Sequence, residues 1–186
     1  MSLGTPVRSG SATYFLPTEN EWYKAAYYDP GAGSPASDYW LYPMQSDTVS
    51  GNAVGAGEGK ANYKGTFYSV TQSATYDANQ NYLTDGGAYT ESASYYGTFD
   101  QGGNVREWNE TLDAANRGVR GGAWNVNTGL MKSSYRGSYG PTTENDVIGF
   151  RIASVPEPSA ALLMIMGGVA MLARRRRTIA LRKDFR

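Results

Sequence analysis

The sequence predicts an α+β domain that is rich in loops, with short strands and few helices. Two observations on composition lead to this fold class. Glycine and tyrosine are heavily used, with 23 and 15 copies, whereas leucine and isoleucine are sparse. Such a mixture favours many turns, short strands and a core built from aromatic rings. A chain of 186 residues suits one domain followed by a tail.

The chain contains no cysteine and no histidine. Their absence excludes thiol nucleophiles, Ser-His-Asp triads and the usual zinc and non-haem iron ligand sets, unless another chain supplies the ligands. Any chemistry done by this chain alone would come from carboxylates, tyrosines, arginines or a borrowed cofactor.

The net charge of zero averages two unlike parts of the chain. From residue 174 onward, seven Lys/Arg and one Asp give a net charge of +6, so residues 1–173 carry −6. An acidic body argues against nucleic acid as a partner, because binding of that kind depends on neutralising phosphates.

The first elements are a polar leader and a helix. Residues 1–12 are small, polar and turn-rich, and are expected to be a disordered leader or a cloning remnant. Thr18 and Glu21 then form a capping-box pattern, which predicts a helix from about Glu19 to Tyr28. The Asp29-Pro30 pair ends it.

Loops and short strands follow. Residues 31–60 are predicted to form a long irregular loop that the mainly aromatic run YWLY at 39–42 holds in place. Short strands are expected over residues 66–70, 119–124 and 148–153.

The central stretch, YGTFDQGGNVREWNE, is the most informative part of the chain. Asp100 and Glu107 flank the Gly102-Gly103 pair, and glycine permits a tight turn through positive φ. Two interpretations stay open. Either this loop offers oxygens to a hard cation, or it is a glycine turn that leads into a strand with Trp108 in the core and the acids in solvent.

A second long polar loop, residues 125–146, groups aromatic and arginine side chains, which suit contact with a ligand. The candidate ligand-binding residues are Trp124, Tyr135, Arg136 and Tyr139. The alternative is that an arginine stacked on a tyrosine only fastens the loop.

Four blocks carry a resemblance to a known family: LPTENEW at 16–22, GGNVREW at 102–108, RGGAW at 120–124 and GFRIAS at 149–154. Their order and spacing resemble the sulfatase-modifying-factor family of the formylglycine-generating-enzyme type. The resemblance implies a variant of the C-type-lectin-like fold over residues 13–154. The amino-terminal half of the family has no counterpart before Tyr14, so the chain is expected to be the carboxy-terminal part of such a domain.

The resemblance also implies bound calcium. Asp100 and Glu107 would bind the ion through their side chains, and Gly103 and Val105 through their backbone carbonyls. A second site is implied at Asn62, the carbonyl of Tyr63 and a partner acid, Asp77. From the residues alone, Asn62 and Asp77 are interpreted as turn formers.

Two departures from the family pattern bear on activity. Catalytic members hold copper with a pair of cysteines, and this chain has none, so copper and the formylglycine-forming oxidation are not expected. Arg106 stands where the family often has tryptophan.

The carboxy-terminal segment resembles a PEP-CTERM sorting signal of Gram-negative bacteria. Residues 155–177 combine a Pro-Glu-Pro motif, the short apolar run AALLMIMGGVAMLA and four arginines, and residues 178–186 form a basic tail. The signal residues are Pro156, Glu157, Pro158, Arg174, Arg175, Arg176 and Arg177. The resemblance implies transient insertion in the inner membrane, processing by an exosortase, and delivery to the cell surface or the extracellular matrix.

The expected function is that of an exported, non-catalytic protein with a calcium-stabilised domain that binds a polysaccharide or a protein. The alternative is an enzyme of the same family with altered chemistry, which would depend on a carboxylate such as Glu107 or Glu110. A structural matrix component without a discrete ligand is a third class.

Overall fold

The computed structural model describes residues 8–32 and 38–154. Residues 15–153 make up one compact unit, and the described residues of the other are 8–14 and 154. In that second unit, residues 8–12 form a turn in which the amide of Ala12 donates to the carbonyl of Ser9 at 3.0 Å. The sorting signal, the apolar run and the basic tail lie outside the described residues, as do residues 1–7 of the leader. In the part that the structure does describe, we find no helix with the length and apolarity needed to cross a membrane.

The predicted helix is confirmed as α1 (Glu19–Tyr27). Thr18 caps it: the Thr18 hydroxyl accepts from the amide of Glu21 at 3.2 Å, and the Glu21 carboxylate accepts from the amide of Thr18 at 2.7 Å. Because this capping box satisfies amides that the first turn leaves unbonded, it sets where the helix begins. Trp22, Ala26 and Tyr27 are buried on its inner side.

The strands are short and form two small sheets. The strands are β1 (Tyr14–Phe15), β2 (Arg106–Asp113), β3 (Asn116–Arg120), β4 (Gly137–Tyr139), β5 (Ile148–Gly149) and β6 (Ala153–Ser154). Four of them form a sheet in the order β4-β3-β2-β5, in which β5 runs parallel to β2 and the other neighbours are antiparallel. β1 and β6 form a two-stranded sheet. One 3-10 helix, Thr128–Met131, lies between β3 and β4.

The core is aromatic, as the composition predicts. Three clusters of buried side chains form it, one around Trp22 and Tyr27, one around Tyr42 and Met44, and one around Tyr82 and Trp124. The aromatic rings meet edge to face, tilted or stacked, at centroid distances such as 5.9 Å for Trp22 and Tyr27.

The strand predictions need three corrections. The strand expected over residues 148–153 is interrupted at residues 150–152, because β5 pairs with β2 whereas β6 pairs with β1 in the other sheet. Residues 66–70 are turns, because the amide of Gln72 donates to the carbonyl of Tyr68 and the amide of Tyr68 to the carbonyl of Ser73, which closes a tight loop. The strand expected over residues 119–124 ends at Arg120, since Gly121 and Gly122 have φ of 97° and 72° and leave the extended conformation.

Candidate functional site

The central loop, residues 100–105, turns through three positive-φ positions before it enters β2. Asp100, Gly103 and Asn104 have φ of 58°, 82° and 60°. The loop is held on both sides by main-chain bonds: the amide of Gly103 donates to the carbonyl of Gly121 at 2.7 Å, and the amide of Asn104 donates to the carbonyl of Asn62 at 2.8 Å. The loop is therefore a buried junction between three segments of the chain.

Glu107, predicted to be either a calcium ligand or a solvated acid, is a buried member of an ion pair. It is 5% exposed, and both of its carboxylate oxygens accept from the Arg151 guanidinium, from Nε and Nη2, each at 2.5 Å. The Trp22 indole N–H donates to Oε2 at 2.6 Å. The carboxylate thus joins β2 to helix α1 and to the segment between β5 and β6.

The remaining residues of the implied first calcium site lie in the same loop. Asp100 is half-buried, and its Oδ2 accepts from the amide of Gly87 at 2.6 Å. Because a guanidinium and an indole N–H already face Glu107, that carboxylate does not fit the four-ligand calcium set of Asp100, Gly103, Val105 and Glu107. Over residues 8–32 and 38–154 there is no group of three or more acidic side chains placed to hold a metal ion.

The residues of the implied second calcium site already have hydrogen-bond partners in the protein. Asn62 donates to the carbonyl of Tyr82 at 2.8 Å, and the carbonyl of Tyr63 accepts from Asn52 and Ser69, both at 3.0 Å. The Asp77 carboxylate caps its own turn by accepting from the amide of Asn79 at 2.9 Å. The turn-forming role predicted from the residues is therefore the one that Asp77 performs in this structure.

Trp124 lies on the buried side of an aromatic cluster that we call the platform and define as Tyr68, Tyr76, Tyr82 and Trp124. Trp124 is 7% exposed, and its ring is nearly parallel to Tyr82, at a centroid distance of 4.8 Å, and to Tyr76, at 6.3 Å. Tyr76 is 55% exposed and forms the outer surface of the platform. The Lys64 ammonium lies 4.3 Å from the ring centroid of Tyr68, at the platform edge.

The other three candidate ligand-binding residues fasten β4 to its surroundings. The Arg136 guanidinium pairs with the Glu19 carboxylate of α1, which also accepts from Arg120 Nε at 2.7 Å. Tyr139 packs edge-on against Trp108, with the Arg106 guanidinium 5.9 Å from its ring centroid. Tyr135 contributes its carbonyl, which accepts from Arg120 at 2.7 Å.

Glu19 remains ionised because of its two arginines. Burial alone would raise the pKa of this carboxyl, but the hydrogen bonds from Arg136 and Arg120 and their positive charges outweigh burial and hold the pKa below its ordinary value. The side chain of Arg136 is 66% exposed, so solvent screens the attraction between its guanidinium and the Glu19 carboxylate. The sequence left two roles open for Arg136, contact with a ligand or attachment of the loop by stacking on a tyrosine. In the structure Arg136 attaches the loop, and its partner is the Glu19 carboxylate.

Sequence reasoning did not identify Tyr68, Tyr76 and Tyr82 as neighbours of Trp124, or Arg151 as the partner of Glu107. Tyrosines at 68, 76 and 82 are separated by irregular turns, so no strand or helix period marks them as one surface. Arg151 stands within the GFRIAS block, and its place in that block was the available signal.

Comparison with known proteins gives one family and several structures. The family model described as the Sulfatase-modifying factor enzyme 1-like domain matches residues 3–155. Similar solved structures include CarF, with 20% identity over 76% of this chain and 48% of that chain and a TM-score of 0.45. PvdO from Pseudomonas aeruginosa has 21% identity over 76% of this chain and 52% of that chain, with a TM-score of 0.47.

Another similar structure is Treponema denticola variable protein 1, with 20% identity over 77% of this chain and 48% of that chain and a TM-score of 0.40. The chain thus spans about half the length of each of these structures. No curated protein matches it.

Proposed function

Because this chain belongs to the sulfatase-modifying factor enzyme 1-like family, we propose that its domain is a non-catalytic ligand-binding module of an exported protein. The proposal rests on two kinds of side chain. The buried carboxylates of Glu19 and Glu107 are committed to ion pairs that hold the fold together, whereas Tyr76 exposes the outer face of the platform to solvent.

The non-catalytic part of the proposal follows from the residue inventory. The chain has no cysteine or histidine. Glu107, one of the two carboxylates on which an altered chemistry would depend, is fully engaged by Arg151 and Trp22. A carboxylate whose two oxygens already accept from a guanidinium and an indole N–H is poorly placed to take a proton from a substrate.

The platform is the observation that supports ligand binding. Tyr76 is 55% exposed although its ring is ordered by near-parallel packing on Tyr82, at a centroid distance of 5.5 Å, and on Trp124. A rigid aromatic face loses little conformational entropy on binding and offers a flat apolar surface with a polar edge. Such a surface suits a sugar ring, so we place the polysaccharide first among the expected ligands and a protein second.

Replacing Tyr76 by alanine is expected to weaken binding of oligosaccharides from the producer's own exopolysaccharide by roughly 3- to 10-fold, the range for loss of one stacked ring. Isothermal titration of the full chain measures this. Tyr95→Ala is the matched control, because Tyr95 is 49% exposed and contacts Tyr96 outside the platform. Equal affinities of the two variants would contradict the platform as the site, and no heat with any oligosaccharide would remove the polysaccharide version.

Export follows from the carboxy-terminal resemblance alone. The Pro156-Glu157-Pro158 motif, the apolar run and Arg174 to Arg177 support passage through the inner membrane and processing by an exosortase. The surface or extracellular matrix is the destination that this proposal assigns to the acidic body.

Calcium remains a prediction, now with Asp100 as its only side-chain ligand in the central loop. The expected result is a higher melting temperature of the full chain in millimolar calcium than after chelation, because an ion that binds only the folded state adds about 2.7 kcal/mol at a hundredfold excess over its dissociation constant. Asp100→Asn should remove the rise, and Glu144→Gln, an exposed acid elsewhere, should leave it unchanged. A melt that does not respond to chelation would contradict calcium binding.

A further inference from the structure

A cleft of about 470 Å³ lies in residues 15–153 and shares no residue with the aromatic platform. The long loop supplies Trp40, Met44, Gln45 and Glu58 to its lining, and Glu91 comes from the segment before the central loop. Its volume falls within the range of ~300–1,000 Å³ that small-molecule sites occupy.

Hydrogen bonds fix the walls of this cleft. Trp40 donates its indole N–H to Asp29 Oδ2 at 3.0 Å, which holds the ring by its polar edge. Gln45 Nε2 donates to the carbonyl of Ala93 at 2.9 Å and so ties the two walls together. The shape therefore exists before any ligand arrives, which lowers the entropy lost on binding.

The ionisable side chains that line this cleft are acidic. Glu58 and Glu91 are the ionisable residues of the lining, and across the described ranges neither has an ion-pair partner. Glu91 Oε2 accepts from the amide of Gly57 at 2.7 Å, which orients that carboxylate. Lys60, the nearest basic residue along the chain, does not line the cleft and donates to the carbonyl of Ala56 at 2.6 Å.

This arrangement contrasts with that of the two buried carboxylates in ion pairs. Glu19 and Glu107 each face arginine, and their charge is used within the fold. Two like charges on one concavity repel each other, so a cation that enters between them gains attraction from both. The apolar lining from Trp40 and Met44 adds a surface that a hydrated metal ion does not use, whereas an organic cation does.

We propose that this cleft binds an organic cation, an ammonium or guanidinium group carried on a short apolar stem. The charged head lies between Glu58 and Glu91, and the stem lies along Trp40 and Met44. The ligand is a free small molecule, an alkylamine or alkylguanidine, with its positive head on an apolar stem.

The first test is isothermal titration of the full chain with agmatine and n-butylammonium as probes, and with 1-butanol as the uncharged control. Both cations are expected to bind and 1-butanol is not. Higher salt should weaken the binding, because the attraction is between exposed charges. Absence of binding by both cations, or equal binding by 1-butanol, would overturn the proposal.

Variants then locate the site. Glu58→Gln and Glu91→Gln are each expected to weaken agmatine about 2- to 5-fold, the range for one exposed ion pair. Glu144→Gln, an exposed acid away from the cleft, should change nothing. Glutamine preserves the acceptor that Gly57 uses, so the melting temperatures should equal that of the parent chain. Equal affinities of all three variants would show that the cations bind elsewhere and would overturn the assignment.

A metal-site outcome is separated by Trp40→Leu and by competition with calcium. For an organic cation, Trp40→Leu should weaken binding about 2- to 5-fold through loss of the ring, and calcium should displace the probe only through general screening. Strong displacement by micromolar calcium together with no effect of Trp40→Leu would identify an inorganic cation site instead. Because the platform is tested with oligosaccharides and Tyr76→Ala, failure of either proposal leaves the other standing.

Discussion

Replacing Glu107 by glutamine is expected to lower the free energy of unfolding by about 3 kcal/mol, the lower end of the range for breaking a buried ion pair. The lower end applies because the side chain of Arg151 is 26% exposed, so water partly solvates the guanidinium left behind, whereas that of Glu107 is only 7% exposed. The loss exceeds that of an ordinary hydrogen bond because one change removes a charge from a bidentate pair and from the indole N–H of Trp22.

Thermal and urea unfolding of the full chain measure this loss, which corresponds to roughly 6 to 12 °C in melting temperature for a domain of this size. Glu144→Gln, the same chemical change at an exposed position, is the matched control and should shift the melt by less than about 1 °C. A double-mutant cycle with Arg151→Gln isolates the pair: the double variant should be less destabilised than the sum of the two single variants. Additive losses would mean that the carboxylate and the guanidinium act independently.

The parts of the fold predicted correctly are those with local causes. The beginning of α1 was predicted because Thr18 and Glu21 bond to each other's backbone across one turn. The α+β, loop-rich class, in the formylglycine-generating-enzyme type of the C-type-lectin-like fold, is confirmed by the family match and by the short strands.

The parts that were not predicted depend on contacts far apart in sequence. Glu107 was expected to bind calcium or to face solvent because it flanks the Gly102-Gly103 turn together with Asp100. Its partner in the structure, Arg151, is 44 residues away and reaches it through the β2–β5 pairing. The aromatic platform assembles in the same way, from rings at 68, 76, 82 and 124 carried on turns without period. Side chains on irregular backbone give no periodic signal, so only the tertiary structure reveals such a surface.

The same reasoning explains why the candidate ligand-binding residues have different roles in the structure. Trp124 was chosen for its aromatic ring, and the structure places it under the exposed Tyr76, so it acts as support for a surface. Arg136 was chosen for its charge, but its guanidinium forms an ion pair with Glu19. In contrast, Glu58 and Glu91 carried no motif, and their significance comes from sharing one concavity without a basic neighbour in its lining. An acid therefore becomes a candidate for ligand binding when it lines a cavity that no basic side chain lines with it.

Gly103→Ala is expected to cost about 3 to 5 kcal/mol, from two sources that the chain allows to be separated. Its φ of 82° is strained for any residue with a Cβ, at about 1 to 2 kcal/mol. The added Cβ would also lie 2.8 Å from the carbonyl carbon of Asn62 and closer still to its oxygen. Both atoms are backbone, so no side chain can turn aside, and the bond from the amide of Asn104 to that oxygen would be disturbed as well.

Gly97→Ala isolates the first source, because Gly97 has a similar φ of 75° but nothing within 4 Å of an added Cβ. Urea unfolding of both variants should show a loss of about 1 to 2 kcal/mol for Gly97→Ala and a further 2 to 3 kcal/mol for Gly103→Ala. The excess measures how rigidly the central loop is held against Asn62. Equal losses would mean that the loop relaxes around the methyl group, and the junction would then be softer than its main-chain bonds to Gly121 and Asn62 indicate. Because Asp100 lies in the same loop, a variant with the full loss that still folds in urea-free buffer should also bind calcium more weakly than the parent chain if the ion is held there.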